Sequence, residues 1–259
     1  MKTKPVAIVT TIYKKNLTSD EEISLRHLNH FLGKYDKYAC VPDDQEFGLP
    51  GFISKKFPAK HFTSAKANAD LLISREFYES FADYEYILLY ELDSLVFSDQ
   101  LGYWCKKGYD YIGAPWIKSQ MVKRYDFPDA VGNGGFALRK VESFIKAIEM
   151  GQHPLKAIWR EVKSAFKNRR FDGLLQKIRD LWLNTPKRTK LIEDRWFSFK
   201  AKNYYTEFKV APVDEGLRFA FETGPRYCFE RNNRQLPFGC HAWCRYDKVF
   251  WESYLLKNN

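Results

Sequence analysis

Several features that would assign a protein to a class at once are missing from this sequence. No apolar run approaches the ~18 residues that a membrane-spanning helix needs. The five cysteines are few and odd in number, which does not indicate a disulfide framework, and free thiols in a cytoplasmic protein are the simpler expectation. The apolar stretch in the first residues, "MKTKPVAIVTTIY", is too short for a signal peptide, and no small-residue cleavage site follows it. This segment therefore predicts a first β-strand.

Hydrophobic and aromatic residues are plentiful, at 45% and 17% of the chain, which is ample for a sizeable core. The formal net charge of +10 is not spread evenly. Residues 152–190 hold eleven Lys or Arg against three acids, a net charge of +8, which leaves only about +2 for the remainder. The basic character therefore belongs to one segment.

The first hundred residues alternate between strand-like and helix-like patterns, which is typical of a doubly wound α/β sheet. The segments are, in order, "PVAIVTTIY", "SDEEISLRHLNHFLGKY", "KYACVPD", "FTSAKANADLLISREFYESF" and "YEYILLYELDSLVF". The fourth predicts one helix capped by Ser64, and the apolar middle of the fifth predicts an interior strand. Ligands of such sheets bind beyond the carboxyl ends of the strands, where Glu91 and Asp93 fall.

After residue 100 the pattern loosens. "YDYIGAPW" predicts a short strand that ends at the proline, and "VGNGGFALRKVESFIKAIEM" predicts a turn, a strand and a helix. The basic segment contains two amphipathic helical patterns. Their apolar positions are Leu155, Ile158, Trp159, Val162 and Phe166, then Phe171, Leu174, Leu175, Ile178, Leu181 and Trp182.

Glu91 and Asp93 stand two positions apart, so their side chains project to the same side of an extended chain. Two carboxylates forced together share a proton or hold a cation. Mg²⁺ and Mn²⁺ are typically held by one or two carboxylates while a diphosphate fills other positions. The alternative is a strand end whose acids meet solvent or a lysine.

Five motifs in order resemble those of the GT-A glycosyltransferases, and more narrowly a bacterial branch of that class. They are "YEYILLYELDSLVF", "YDYIGAPW", "VGNGGFALRKV", "EDRWFS" and "PFGCHAW". The resemblance implies a Rossmann-like, mixed and mainly parallel sheet flanked by helices, with a divalent cation held by a "DxD" motif. Here the triplet is Glu-Leu-Asp, which makes Asp93 the principal expected ligand and Glu91 the secondary one.

The resemblance also implies roles for later residues. Asp194 in "IEDRWFS" is the expected catalytic base, preferred to Glu193, although a helix N-terminus attracts acids by its dipole alone. His241 is the expected third metal ligand. A zinc site with the flanking Cys240 and Cys244, or a buried structural histidine, are the alternatives.

The remaining expected site residues bind the nucleotide-sugar. Lys66 would neutralise the diphosphate, the threonines would meet the base, and the "GNGGF" turn would form the floor of the donor or acceptor site or be a plain turn. The full set is Thr10, Thr11, Lys66, Asn133, Gly134 and Gly135.

One domain over residues 1–259 is expected, with a nucleotide-sugar-binding half (1–100), an acceptor and catalytic half (101–259) and a basic helical insertion (152–190). The implied function is that of a metal-dependent, inverting hexosyltransferase of bacterial surface polysaccharide synthesis. Its donor would be a UDP-sugar such as UDP-galactofuranose, its acceptor a glycan or lipid-linked glycan, and its cofactor Mn²⁺ or Mg²⁺. The rivals are a metal-dependent phosphoryl-transfer or nuclease enzyme, and a non-catalytic sugar-binding protein.

The basic helices admit three interpretations. They could lie on an anionic membrane with Trp159, Phe166 and Trp182 at the interface, bind nucleic acid through its phosphates, or pack their apolar faces on the core. Nucleic acid is not the expected partner. The expected location is the cytoplasm, including the inner face of the cytoplasmic membrane.

Overall fold

The computed structural model describes residues 3–46, 48–120 and 129–257. Its strands are β1 (Lys4–Thr11), β2 (Asp36–Pro42), β3 (Ile53–Phe57), β4 (Tyr84–Tyr90), β5 (Leu95–Val96), β6 (Tyr111–Gly113), β7 (Pro115–Trp116), β8 (Ala130–Val131), β9 (Phe136–Lys140), β10 (Ala220–Phe221) and β11 (Gly239–Cys240). Its α-helices are α1 (Ser19–Leu32), α2 (Ala65–Leu72), α3 (Arg75–Glu79), α4 (Leu101–Lys106), α5 (Val141–Gln152), α6 (Leu155–Asn168), α7 (Leu174–Leu183), α8 (Glu193–Phe199), α9 (Ala201–Tyr204), α10 (Val213–Phe219), α11 (Pro225–Arg231) and α12 (Lys248–Glu252).

The main sheet has six strands in the order β3-β2-β1-β4-β9-β6. Strands β3, β2, β1 and β4 pair in parallel, and β9 pairs antiparallel with both β4 and β6. This is the predicted mixed, mainly parallel sheet of an α/β protein, and that prediction is confirmed.

The two central strands are buried on both faces, as their continuous apolar runs predict. Ala7 of β1 and Ile87 of β4 belong to one core cluster, which includes side chains of α3, α5 and α8. Their chain neighbours Ile8 and Leu88 belong to the opposite cluster with α1 and α4. The two-residue period of a strand thus divides the core into two layers with the sheet between them.

The prediction of a single helix over residues 62–81 is wrong, because this segment forms two helices, α2 and α3. Ser64 caps α2 as expected, accepting a hydrogen bond from the backbone N–H of Ala67 at 3.1 Å. The helix ends after Leu72, and Ser74 caps α3 by accepting from Phe77 N at 3.2 Å. The second serine offers the backbone an alternative to helical hydrogen bonding and starts a new helix. The edge strand β3, half of it exposed and rich in lysine, was not predicted.

"YDYIGAPW" also differs from its prediction. Strand β6 ends at Gly113, before the proline, and Pro115 itself begins β7, which pairs with β8. A second small sheet, in the order β10-β11-β5, joins the segment after Asp93 to the last third of the chain. This small sheet brings residue 241 beside the loop that follows β4. A backbone hydrogen bond holds the two segments together there, in which Trp243 N donates to Asp93 O at 3.0 Å.

Both helices predicted in the basic segment are present as α6 and α7. Leu181 belongs to a core cluster and Ile158 packs against it, but most of the other large apolar side chains do not reach the core. The buried residues of these helices are Ala157, Ala165 and Leu181. Seven large apolar side chains of residues 155–183 are exposed instead: Leu155, Trp159, Phe166, Phe171, Leu175, Trp182 and Leu183. Among the residues described, no helix has the length and apolar character to cross a bilayer.

Candidate active site

A cavity of about 760 Å³ opens where β1 and β4 end. Its walls come from the loops after these two strands, the start of α2, the glycine-rich turn before β9 and the start of α8. The chain from Pro186 to Ile192, which leads out of α7, forms part of the rim. The cavity therefore lies at the carboxyl edge of the parallel strands, as the sequence predicts.

Glu91, Asp93 and His241 meet at one wall of this cavity. Each offers one ligand atom, and the three atoms lie within 4.8 Å of one another. The Nε2 atom of His241 lies 3.2 Å from Glu91 Oε2 and 3.2 Å from Asp93 Oδ1. Residues far apart in sequence thus form a site of two carboxylates and one imidazole.

A fourth residue, Glu222, orients His241 from behind. Its Oε1 atom lies 3.1 Å from His241 Nδ1 and accepts a hydrogen bond from Asn133 Nδ2 at 2.8 Å. When Nδ1 donates to Glu222, Nε2 is the ring nitrogen left to face Glu91 and Asp93. A carboxylate on the far side of an imidazole is the usual way in which a metal-ligating histidine is held.

The electrostatics of the cluster favour positive charge between the carboxylates. Asp93 Oδ1 is buried, and His241 Nε2 lies 3.2 Å from it. Burial opposes the charged imidazole, yet hydrogen bonds to Asp93, Glu222 and Glu91 outweigh it and raise the pKa of His241 well above its usual range. Burial likewise opposes the charged form of Asp93, but His241 holds the pKa of that carboxyl below its usual value. Oxygen ligands with one imidazole suit Mn²⁺ or Mg²⁺, so the residues present fit the expected cation.

The zinc alternative is not favoured by this geometry. Within the described residues, the cluster that could hold a metal contains no cysteine. Cys240 lies in the core between β10 and β5, and burial raises the pKa of its thiol well above the usual range, whereas zinc binds the thiolate.

The glycine-rich turn packs directly against the cluster and explains its two adjacent glycines. A Cβ atom on Gly135 would lie 2.2 Å from His241 Nε2, and one on Gly134 would lie 2.7 Å from Glu193 Oε1. The carbonyl of Gly135 also accepts from Glu91 N at 2.8 Å. Any side chain at either position would displace an ionisable group of the cavity wall.

The two adjacent acids at the start of α8 have different environments. Glu193 Oε1 accepts from Arg139 Nη2 at 2.9 Å, and the guanidinium is fully buried. Asp194 is also buried, and its Oδ1 accepts from the backbone N–H of Arg195 at 2.6 Å. Burial first, and then the charge of Glu193, raise the pKa of Asp194 well above the usual carboxyl range. A raised proton affinity is a property that a general base needs, and the role of Asp194 as the base stays a prediction.

The other expected binding residues divide into those on the cavity wall and one that is not. Asn133 lines it together with Gly134 and Gly135. Thr11 and Lys66 line it too, although the Lys66 side chain is largely exposed and pairs with Asp70 at 3.3 Å. Thr10 is buried on the opposite face of β1, outside the cavity lining, and its hydroxyl is without a hydrogen bond.

Sequence reasoning missed two residues that line the cavity and one, Glu222, that lies behind its wall. Tyr13 lines the cavity and is 65% exposed, so its ring is available to a ligand. Its place just after the first strand is a signal that could have found it. Lys190 lies on the rim, but the basic segment holds many lysines and nothing distinguishes this one. Glu222 lies between motifs, and only the fold brings it to His241.

A family model described as "Protein of unknown function (DUF5672)" matches residues 52–241. The chain belongs to this family. The matched span of the DUF5672 chain contains Glu91, Asp93, the glycine-rich turn, α8 and His241, and therefore all of the cavity lining except the residues from Thr11 to Glu21. The comparison with curated proteins gives no match.

Solved structures similar to the DUF5672 chain include three glycosyltransferases. GlyE of Streptococcus pneumoniae TIGR4 is 13% identical over 98% of this chain, with a TM-score of 0.45, and this chain spans 61% of its length. A glycosyltransferase involved in glycosylation of the major capsid of PBCV-1 is 11% identical, with a TM-score of 0.48 and coverage of 96% and 98% of the two chains. LgtC, a galactosyltransferase solved with donor and acceptor sugar analogs, is 13% identical, with a TM-score of 0.48 and coverage of 98% and 97%. Similarity at this level assigns no activity to the chain.

Proposed function

We propose that the chain is a divalent-cation-dependent glycosyltransferase of the GT-A type, which transfers a hexose from a nucleoside-diphosphate sugar. The observation that carries the proposal is the content of one cavity. Glu91, Asp93 and His241, whose ligand atoms lie within 4.8 Å of one another, share that cavity with Asp194, a buried carboxyl of raised pKa. A reaction that needs both a stabilised leaving diphosphate and a base for a hydroxyl uses this combination.

Each group has a defined part in the proposed reaction. Asp93, Glu91 and His241 would hold the cation, with Glu222 fixing the tautomer of the imidazole. When bound, Mn²⁺ or Mg²⁺ supplies positive charge against the diphosphate. Asp194 accepts the proton of the acceptor hydroxyl, whose oxygen forms a bond to the anomeric carbon as the bond from that carbon to the diphosphate oxygen breaks. This in-line displacement inverts the anomeric configuration.

The donor would lie between the loop after β1 and the glycine-rich turn. Thr11 and Tyr13 would meet the base, with the exposed ring of Tyr13 available for stacking. Lys66 would approach the diphosphate, and Asn133 and the two glycines would form the floor under the sugar. This assigns donor binding mainly to residues 1–100 and acceptor binding to residues 101–259.

The motif resemblance makes a UDP-sugar, with UDP-galactofuranose as one case, the first donor to test. It also directs the search for an acceptor to glycans and lipid-linked glycans of bacterial surface polysaccharide synthesis.

Nucleotide binding tests the cation site. Isothermal titration of UDP, GDP, CDP and dTDP, each with and without Mn²⁺, should show one nucleotide whose affinity requires the metal. Asp93→Asn should abolish that requirement together with the tighter binding. Asp44→Asn, an exposed carboxyl outside the cavity lining, is the matched control and should bind like the unmodified protein. If no nucleotide binds more tightly with Mn²⁺, the proposed function is wrong.

Transfer assays separate the base from the cation site. Asp194→Asn should keep Mn²⁺-dependent nucleotide binding but lose on the order of 10²–10⁴-fold in kcat, the usual contribution of a positioned base. Undiminished transfer by this variant would contradict the role of Asp194. If the unmodified protein binds sugars but transfers none from any donor of the panel, the non-catalytic alternative is favoured.

A further inference from the structure

Three bulky apolar side chains of α6 form one face that the core leaves uncovered. Leu155, Trp159 and Phe166 are 61%, 62% and 67% exposed. At ~100° per residue they fall within about 40° of one another around the helix axis. The buried residues Ala157 and Ala165 lie on another side. The helix therefore docks on the protein through these two alanines and Ile158, which packs against the core, and directs Leu155, Trp159 and Phe166 outward.

The apolar face continues through the connection into α7. The rings of Phe166 and Phe171 are in contact, with centroids 5.1 Å apart. Leu175 is 84% exposed, and Trp182 and Leu183 follow at the end of the helix. In the described parts of the chain, seven of the thirteen exposed large hydrophobic side chains lie within residues 155–183. Apolar surface concentrated in this way marks an interaction site.

Cations flank this apolar face. Ten of the eleven Lys and Arg residues between 152 and 190 are exposed. On α6, three lysines lie beside the apolar face, about 80–120° around the helix axis from Leu155: Lys156, Lys163 and Lys167. The guanidinium of Arg188 lies 4.2 Å from the ring centroid of Trp182. Residues 152–190 hold only three acids against these eleven cations, so the segment has a net charge of +8. Most of this charge is available to a partner.

The face is held rigidly from behind and leads to the cavity. Tyr204 OH donates to Leu181 O, and Trp196 Nε1 donates to Asn184 O, both at 2.7 Å. The Arg160 guanidinium also donates to Asn203 O. From Pro186 onward the same chain lines the cavity, where Ile192 adds another exposed apolar side chain. The apolar face and the cavity rim are thus consecutive parts of one anchored segment.

We propose that residues 155–183 form a docking surface for an anionic lipid bilayer, which places the cavity rim at the level of a lipid-borne acceptor. Tryptophan and phenylalanine enter the boundary between headgroups and acyl chains, while flanking cations meet lipid phosphates. A second copy of the chain is a poorer occupant, because it would bring two +8 segments together. The lipid contact does not depend on the proposed function, whereas the placement of the acceptor rests on it.

Vesicle flotation with the full chain, without nucleotide, tests the contact. The protein should float with phosphatidylcholine vesicles that contain roughly 30% phosphatidylglycerol and much less with phosphatidylcholine alone. The double variant Trp159→Ala/Phe166→Ala and the double variant Lys163→Glu/Lys167→Glu should each lower the partition coefficient by at least about tenfold. Tyr103→Ala and Lys106→Glu/Lys202→Glu are matched controls on exposed side chains elsewhere and should change it by less than about twofold.

Other results would overturn the proposal. They are no flotation of the unmodified protein with anionic vesicles, flotation of the two test variants equal to that of the unmodified protein, or binding of an oligonucleotide through the same residues without any binding of vesicles. A dimer that dissociates in Trp159→Ala/Phe166→Ala without any vesicle binding would identify a self-association surface instead. Unchanged unfolding midpoints of the variants confirm that they are folded. Vesicle binding by a protein that binds no nucleotide would refute the proposed function and leave the docking surface standing.

Discussion

Glu193 and Asp194 are adjacent, yet neutralising them one at a time should move the stability of the protein in opposite directions. Glu193→Gln leaves the fully buried guanidinium of Arg139 facing an amide in place of a carboxylate. Removing one partner of a buried ion pair costs about 3–5 kcal/mol, and the amide oxygen places this change near the lower limit. At about 2–4 °C per kcal/mol for a chain of this size, the unfolding midpoint should fall by about 6–12 °C.

Asp194→Asn should instead stabilise the folded protein, and more so at high pH. Because burial and Glu193 raise its pKa, the folded chain holds the Asp194 proton more tightly than the unfolded chain does. The stability from this group is complete below the pKa of the unfolded carboxyl and is lost as the pH rises through the folded value. Asparagine has no proton to lose, so its advantage should grow between about pH 5 and about pH 8.

Thermal unfolding followed by circular dichroism at these two pH values measures both effects. The Asn variant should be the more stable protein and, under the proposed function, the less active in transfer, which is the usual compromise where a buried ionisable group serves a reaction. If both substitutions lower the midpoint equally, or if Asp194→Asn destabilises more at pH 8 than at pH 5, then Arg139 serves Asp194 and the assignment of the two acids is reversed.

Three further substitutions test the surroundings of the site and the fold. Glu222→Ala removes the hydrogen-bond acceptor behind His241 and should weaken Mn²⁺ binding about 10–100-fold in a calorimetric titration, with affinity retained if Glu222 is only structural. Gly135→Ala places a Cβ 2.2 Å from His241 Nε2 and should abolish Mn²⁺-dependent nucleotide binding, whereas Gly102→Ala, with its nearest atom at 3.9 Å, should not. Ser74→Ala removes the cap of α3 and should cost about 1 kcal/mol in denaturant unfolding, and no loss would mean that the cap is not formed.

The sequence predicts the sheet and one wall of the site because both depend on local patterns. The continuous apolar run of β4 identifies a strand covered on both faces, and the position of Asp93 directly after it locates the carboxyl edge. Glu222 follows a two-residue strand in a stretch without periodicity. Its role depends on how β10 pairs with β11, and no local pattern specifies that pairing.

The basic helices show a different limit of prediction. Helical spacing identifies the apolar face of α6 correctly, but it does not state what that face touches. Ala157 and Ala165, together with Ile158, make the contact with the protein, and alanine is too small to be counted in an apolar stripe. The close approach that these two alanines permit is a property of the folded pair of surfaces, and it leaves Leu155, Trp159 and Phe166 outside.

His241 reaches its partners from the far end of the chain, 150 positions after Glu91. During synthesis, β1 and β4 can pair long before residue 241 leaves the ribosome, so the proposed cation site is incomplete until the last part of the chain is made. Contacts between such distant residues also form late in folding, because the intervening loop must close first. A bound cation should consequently slow unfolding much more than it speeds folding, which would make metal a determinant of the lifetime of the finished protein.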